Sequence, residues 1–265
     1  MRDLRIATWN VHRRRECLFE AFSDDSVDVL AAQKAPAGGR KKDAPGSVGY
    51  WKIWGGGRAA IYINKRWSRT EWSPVVVEED VVAVRVGDTH VVSVYSEGYL
   101  RSWTTPLNLL LRMSPLKKPI VVGDFNLHHS RWDTDERTST GVDKLLDLAV
   151  RWDLTLATPK GEPMWESPGR RQSTLDLIWF GQDTSVRYEG AADWAGFDHY
   201  TQLVLVQSGS RPKPIHEKFD WSMMRTADTA KAERQRRQPS KTPNFYGDLQ
   251  SGDERGVTNL RTCRW

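Results

Sequence analysis

Residues 121–126 read Val-Val-Gly-Asp-Phe-Asn, and residues 197–200 read Phe-Asp-His-Tyr. An apolar run that closes on Gly-Asp-x-Asn carries a carboxylate, Asp124, and an amide, Asn126, to one spot at a strand's end. Asp198 precedes His199, and a neighbouring carboxylate can fix an imidazole's tautomer and raise its pKa. Other apolar runs also end in polar, ligand-competent groups: Asn10 after Thr8-Trp9, Gln33-Lys34, Tyr95, and Asp176 within Ser173-Thr174-Leu175-Asp176. In layered α/β folds such strand ends converge in one crevice. The set suits cleavage of a phosphate ester. Asp124 would orient or deprotonate the attacking water, and Asn126 would position it. His199 would donate to a phosphate oxygen or to the departing group, with Asp198 holding the imidazole, and Tyr95 would give the phosphate a phenolic hydrogen bond. The amide of Asn10 would hold a phosphate oxygen or a metal-bound water. A hard divalent ion, Mg²⁺ or Mn²⁺, would take one or two of the carboxylates and neutralise charge on the phosphate.

His128 and His129 follow the Asp-x-Asn loop; they either touch a substrate backbone or pack and hydrogen-bond within the loop. Of the 13 tryptophans, Trp132, Trp165 and Trp194 are placed nearest the cleft, where an aromatic face can stack on a base. The others read as core residues.

Strands must position these groups. Short runs rich in Val and Ile, bounded by Gly, Pro, Asp or Asn, predict strands over 4–9, 27–32, 59–63, 75–77, 81–86, 90–95, 120–122, 154–157, 175–180 and 203–206. Gly87-Asp88 reads as a hairpin turn. Helical spacing predicts a helix over 141–152 capped by Ser139 or Thr140, a second over 104–113 with Pro106 in its first turn, and a short third over 16–22. The runs 120–122 and 175–180 are apolar on both faces, as in strands covered on two sides. Many strands, few helices and no strict βαβ alternation predict an α/β (α+β) fold of two packed mixed β-sheets flanked by helices.

The net charge of +5 is unevenly spread: residues 208–265 hold 12 Lys/Arg against 7 Asp/Glu, whereas 1–207 hold 27 of each. The basic character therefore belongs to the tail, although Arg13-Arg14-Arg15, Arg40-Lys41-Lys42 and Arg170-Arg171 form local clusters in the body. Ser208-Gly209-Ser210-Arg211-Pro212 reads as a linker, and the polar, aperiodic sequence beyond it predicts one domain over 1–207 and a basic, mostly disordered tail over 208–265. Cys17 and Cys263 supply neither a disulfide framework nor a paired CxxC zinc site. No run reaches the ~18 apolar residues of a membrane span, and no secretory apolar segment follows Met1. The expectation is an intracellular protein without a membrane partner.

In order along the chain, Trp9-Asn10, the strand end at Gln33, Gly123-Asp124-Phe125-Asn126, Thr174-Leu175-Asp176 and Asp198-His199 resemble the endonuclease/exonuclease/phosphatase superfamily, over about residues 1–207. The string Gly123-Asp124-Phe125-Asn126-Leu127-His128-His129 with Trp132, and the string Arg58-Ala59-Ala60-Ile61-Tyr62-Ile63-Asn64-Lys65, resemble more narrowly the endonuclease domain of non-LTR retrotransposons, fungal ones especially. The resemblance implies a four-layer α/β sandwich and DNA nicking, and a DNA substrate implies the nucleus rather than the cytoplasm. It implies catalytic roles for Asp124, Asn126, His199, Asp198, Tyr95 and Asp176, substrate contacts from Asn10, Thr174, His128 and Trp132, and metal ligation by Asn10 and Asp198. Three positions depart from the family pattern. The metal-binding Glu that follows Gln33 in the family is Lys34, the Ser before Asp198 is Phe197, and the Asn two residues before Tyr95 is Ser93. An ammonium repels Mg²⁺ instead of ligating it. Three functions are consistent with this: a metal-dependent, retrotransposon-derived endonuclease weakened at Lys34; a catalytically inactive relative that binds nucleic acid or a protein partner; and a phosphatase of a small phosphate ester.

Overall fold

The computed structural model describes residues 2–14, 18, 21, 25–36, 49–97, 105–134, 137–166, 172–192 and 198–208. The tail beyond Ser208, Cys17, Trp194, Phe197 and two of the basic clusters, 40–42 and 170–171, lie outside them. Two mixed six-stranded sheets pack face to face. With strands numbered in chain order, the first sheet holds β1 (Leu4–Asn10), β2 (Val29–Gln33), β3 (Tyr50–Trp54), β4 (Ala59–Asn64), β11 (Val186–Ala192) and β12 (Thr201–Val206). The second holds β5 (Trp72–Val77), β6 (Val81–Val86), β7 (Thr89–Tyr95), β8 (Pro119–Asp124), β9 (Leu154–Leu156) and β10 (Asp176–Gly181).

The two sheets share one pairing scheme. Across β11-β12-β1-β2-β4-β3 the pairs run antiparallel, antiparallel, parallel, antiparallel, antiparallel. Across β9-β10-β8-β7-β6-β5 the sequence of pairings is the same. Each sheet therefore has one central parallel pair, β1/β2 or β7/β8, whose carboxyl ends lie side by side. In register, Asn10 is opposite Gln33 and Tyr95 is opposite Asp124.

Apolar side chains make three layers of core. Between the sheets, Ile6, Val29, Ile61 and Val204 meet Val84, Val91, Ile120, Val122 and Ile178. On the far side of the second sheet, helices α1 (Thr105–Arg112) and α2 (Val142–Arg151) lay Leu107, Leu110, Leu145, Leu146 and Leu148 against Val92, Val121, Leu177 and Trp179. On the far side of the first sheet, Leu18 and Ala21 pack with Trp9, Leu30 and Tyr62. The predicted helix over 16–22 otherwise falls outside the described residues. The arrangement is the expected α/β sandwich, with strands buried on both faces wherever the sequence is apolar on both. Among the described residues no helix is long and apolar enough to cross a membrane.

Two strands were not expected. β3 and β11 are the outer strands of the first sheet and carry Lys52, Arg187 and Glu189, which break the apolar pattern; β11 also shifts register between Tyr188 and Gly190. The cap of α2 also differs from expectation. Its N-cap is Gly141, left-handed at φ 93°, with no side-chain cap bond. Ser139 is used elsewhere, its hydroxyl accepting from the backbone N–H of His128 at 2.8 Å.

Candidate functional site

The carboxyl ends of the two parallel pairs meet across the sandwich. Asn10, closing β1, donates through Nδ2 to Oδ2 of Asp124, which closes β8, at 2.8 Å. Asp176 opens β10 directly opposite Asp124, and its Oδ2 lies 2.8 Å from Nδ1 of His199. Nε2 of His199 returns to Nδ2 of Asn10 at 3.2 Å. Four residues from four separate stretches of chain thus form one continuous hydrogen-bonded chain, Asp124–Asn10–His199–Asp176, and all four side chains are buried. The backbone of His199 is pinned from two sides. The indole of Trp9 donates to its carbonyl at 3.0 Å, and the residue bridges Trp165.

Local sequence explains how Asp124 reaches this point. Gly123 has φ 147°, and a Cβ there would lie 1.9 Å from the carbonyl oxygen of Val94 on β7. Only glycine lets the two parallel strands approach so closely. Asn126 follows in the left-handed region at φ 49°. Its N–H donates to Oδ1 of Asp124 at 3.1 Å, and its Nδ2 donates to the carbonyl of Ser96 at 2.7 Å. Both carboxylate oxygens of Asp124 are therefore oriented by neighbouring donors.

A second set of polar bonds surrounds the network. Gln33, fully buried at the end of β2, donates to Thr8 and to Ser93 on β7, each at 3.2 Å. Gln202 on β12 donates to the carbonyl of Asp176 at 2.8 Å and accepts from Thr158 at 3.0 Å. Thr158 and Gln202 carried no sequence signal, since a lone Thr or Gln inside an apolar run reads as an ordinary strand residue. Ser93, a departure from the family pattern, here serves as the acceptor for Gln33.

Electrostatics follow from burial and from two carboxylates placed side by side. Burial first, and the charge of Asp176 second, raise the pKa of Asp124 to about 7. For His199 burial opposes protonation, but the charge and hydrogen bond of Asp176, with Asp124 and Asp198 behind it, win and raise its pKa to about 9. The phenol of Tyr95 is pushed up by burial and then by Asp124. The ring of Tyr95 lies between two cations, with the Lys34 ammonium 5.5 Å and the Arg58 guanidinium 4.9 Å from its centroid. Arg58 is neutralised by a two-pronged bond to Asp80, at 2.7 and 2.6 Å, and by Glu97.

Several expectations need correction. Asp198 does not hold the imidazole of His199; Asp176 does, because it opens the strand beside β8 while Asp198 lies outside on a loop. The carboxylate of Asp198 is instead half-exposed and 3.7 Å from Nδ1 of His12. The expected metal ligands Asn10 and Asp198 each lie against His12. Oδ1 of Asn10 accepts from the N–H of His12 at 3.1 Å, and its Nδ2 is bonded to Asp124. Thr174 is buried and donates its hydroxyl to the carbonyl of Glu162 at 2.7 Å, so it does not face a substrate. Trp132 is fully buried, with its indole bonded to the carbonyl of Leu127 and its ring against Trp179 and His129, so it offers no face to a base. His128 resolves to the packing alternative, with Nδ1 2.6 Å from Oδ2 of Asp133, and the ring of His129 is buried against Trp132.

Among the described residues, Asp124, Asp176 and His199 form the one group of potential ligands whose donor atoms all lie within 4.8 Å of one another. Oδ1 of Asp176 is buried without a hydrogen-bond partner, as a lone pair awaiting a cation would be. The rest of the group fits Mg²⁺ poorly. Nδ1 of His199 is bonded to Asp176, both oxygens of Asp124 already accept hydrogen bonds, and Mg²⁺ prefers a shell of oxygens. The triad as folded is a hydrogen-bonded proton network rather than an open cation cage.

Residues 89–202 match the family described as Endonuclease-reverse transcriptase. The endonuclease domain of TRAS1, a telomere-specific non-LTR retrotransposon, superposes with a TM-score of 0.60 at 16% identity, covering 77% of this chain and 98% of that one. The 3'-5' exonuclease NExo from Neisseria meningitidis superposes with a TM-score of 0.54 at 18% identity, covering 76% and 98%. NExo from Neisseria bound to product DNA hairpin gives 0.55 at 17% identity, covering 77% and 98%. The chain has the fold of these nucleases, and its central stretch matches the endonuclease-reverse transcriptase model. No curated protein matches it. The fold is thus of the nuclease type, and the residue after Gln33 at the end of β2 is Lys34.

Proposed function

We propose that the chain acts on DNA as an endonuclease-type phosphodiesterase, hydrolysing a backbone ester with the network around Asp124 and His199. The observation that carries this reading is the buried Asp124–Asn10–His199–Asp176 hydrogen-bonded chain at the carboxyl ends of both parallel strand pairs. Asp124, with a pKa near neutrality, is suited to take a proton from the attacking water. His199, held by Asp176 through Nδ1, turns Nε2 to Asn10, a contact that a phosphate oxygen or the leaving group would replace. Asn10 keeps the two groups in register. The resemblance to a retrotransposon endonuclease and to an enzyme bound to product DNA hairpin supports DNA over a small ester. Dependence on Mg²⁺ or Mn²⁺ is the family expectation, but the residues around the site fit such an ion poorly, so no step is routed through it.

A second reading is favoured by Lys34. An ammonium where the family pattern has a ligating Glu suits a protein that binds nucleic acid without turning it over. Nicking of supercoiled plasmid separates the two. With Mg²⁺ or Mn²⁺, the parent protein is expected to nick and His199→Ala to lose at least about a hundredfold of that rate. A parent that leaves plasmid intact while Lys34→Glu nicks it would establish the second reading.

A further inference from the structure

Lys34 follows the last residue of β2 and has φ 47°, a left-handed conformation that costs a lysine energy. The conformation is fixed from both sides, since the N–H of Arg13 donates to the Lys34 carbonyl at 2.7 Å and Ala35 donates to the carbonyl of Arg58 at 3.3 Å. The side chain is half-buried and crosses the ring of Tyr95 toward the site. Its charge is felt both by buried Asp124 and by exposed His12. Among the described residues no carboxylate lies within ion-pair distance of its ammonium. The neighbouring acids are engaged: Asp124 by Asn10 and Asn126, Asp176 by His199, and Asp80 and Glu97 by Arg58. The position is thus a strained, pinned backbone that holds a half-buried cation, without a carboxylate partner among the described residues, close enough for its charge to act on Asp124. A cation so placed is complementary to an anion arriving from solvent. His12, half-exposed beside Asp198, is a second solvent-facing group that feels the charge of Lys34.

We infer that the ammonium of Lys34 binds a non-bridging oxygen of a DNA phosphodiester directly, so that this chain holds its substrate without a divalent ion. The inference deepens the proposed function, resting on the reading that the site receives a phosphodiester. It departs from that reading's usual cofactor, because a fixed cation supplies the charge that a metal would otherwise bring. Binding then becomes independent of chelators, whatever happens to turnover.

Fluorescence anisotropy of a labelled DNA duplex tests it, with the full chain titrated in EDTA and in Mg²⁺. The parent is expected to bind with the same Kd in both. Lys34→Gln is expected to weaken binding in EDTA by about tenfold or more, and Lys34→Arg to retain it. Lys117→Gln, at the opposite end of β8, controls for general loss of charge and is expected to bind as the parent does. Melting temperatures of the variants exclude misfolding. A parent that binds only with Mg²⁺, or a Lys34→Gln protein that binds as tightly as the parent, would overturn the inference. Plasmid nicking read in parallel keeps the two proposals apart. Chelator-insensitive binding without nicking sustains the inference and sinks the endonuclease reading, whereas Mg²⁺-dependent binding with nicking does the reverse.

Discussion

Asp124 and His199 are both buried, and both hold their protons more tightly in the folded chain than in the unfolded one. A raised pKa contributes stability that is complete below the unfolded value and is lost as pH rises through the folded one. For Asp124 that window runs from 3.8 to about 7, and for His199 from 6.5 to about 9. Without added metal the protein is therefore expected to lose thermal stability steadily from acid to mildly alkaline pH. Asp124→Asn should flatten the lower part of that profile, as melting curves in EDTA across the pH range would show. Asp176→Asn tests the imidazole's partner. It should lower nicking by roughly 10²–10⁴-fold while Asp198→Asn costs far less, the reverse of what adjacency in sequence suggests. The Asp-His dipeptide was legible as chemistry, but the partner of the imidazole was not. That partner is chosen by strand pairing, which brings Asp176 beside Asp124 across 52 positions of chain.

The elements that position the site depend on few exceptional residues. Gly123 is the sharpest case, because any Cβ would enter the carbonyl of Val94. Gly123→Ala is expected to cost on the order of 3–5 kcal/mol, or to yield no folded protein, by denaturant unfolding. Trp132 belongs to the same loop but to the core side of it. Trp132→Ala should destabilise by about 3–5 kcal/mol while the folded fraction keeps its DNA affinity. A loss of affinity at unchanged stability would instead return Trp132 to a stacking role. Ten strands and two helices could be read from Val- and Ile-rich runs and from leucine spacing, because most of those elements are buried on at least one face. β3 and β11 could not, since edge strands dilute the pattern with charge. Nor could the cap of α2, where Ser139 was drawn away by the backbone of His128.

At the scale of the whole molecule, the charge distribution separates a neutral body from a basic tail. A chain ending at Ser208, whose N–H donates to Asp3 at 2.8 Å, should melt within a few degrees of the full-length protein. Its affinity for DNA should fall at low salt, with a shallower dependence on ionic strength. Equal slopes for the two lengths would show that the tail makes no phosphate contacts. The body itself closes at the site end through three buried polar ties between the sheets: Asn10 to Asp124, Gln33 to Ser93, and Gln202 to the carbonyl of Asp176. Elsewhere, among the described residues, the sheets meet largely through apolar side chains, Trp67 and Trp72 included.

Those three ties double as rivets. Deleting either end of one strands a desolvated partner, a loss of about 1–3 kcal/mol that is felt whether or not any ester is ever cut. A lineage that stopped needing turnover could therefore change a residue outside the ties, such as that at position 34, with little penalty, while Asn10, Asp124 and Gln33 would persist as masonry. Survival of these three in a sequence attests the architecture first, and the working state of the enzyme has to be read from the unriveted positions around them.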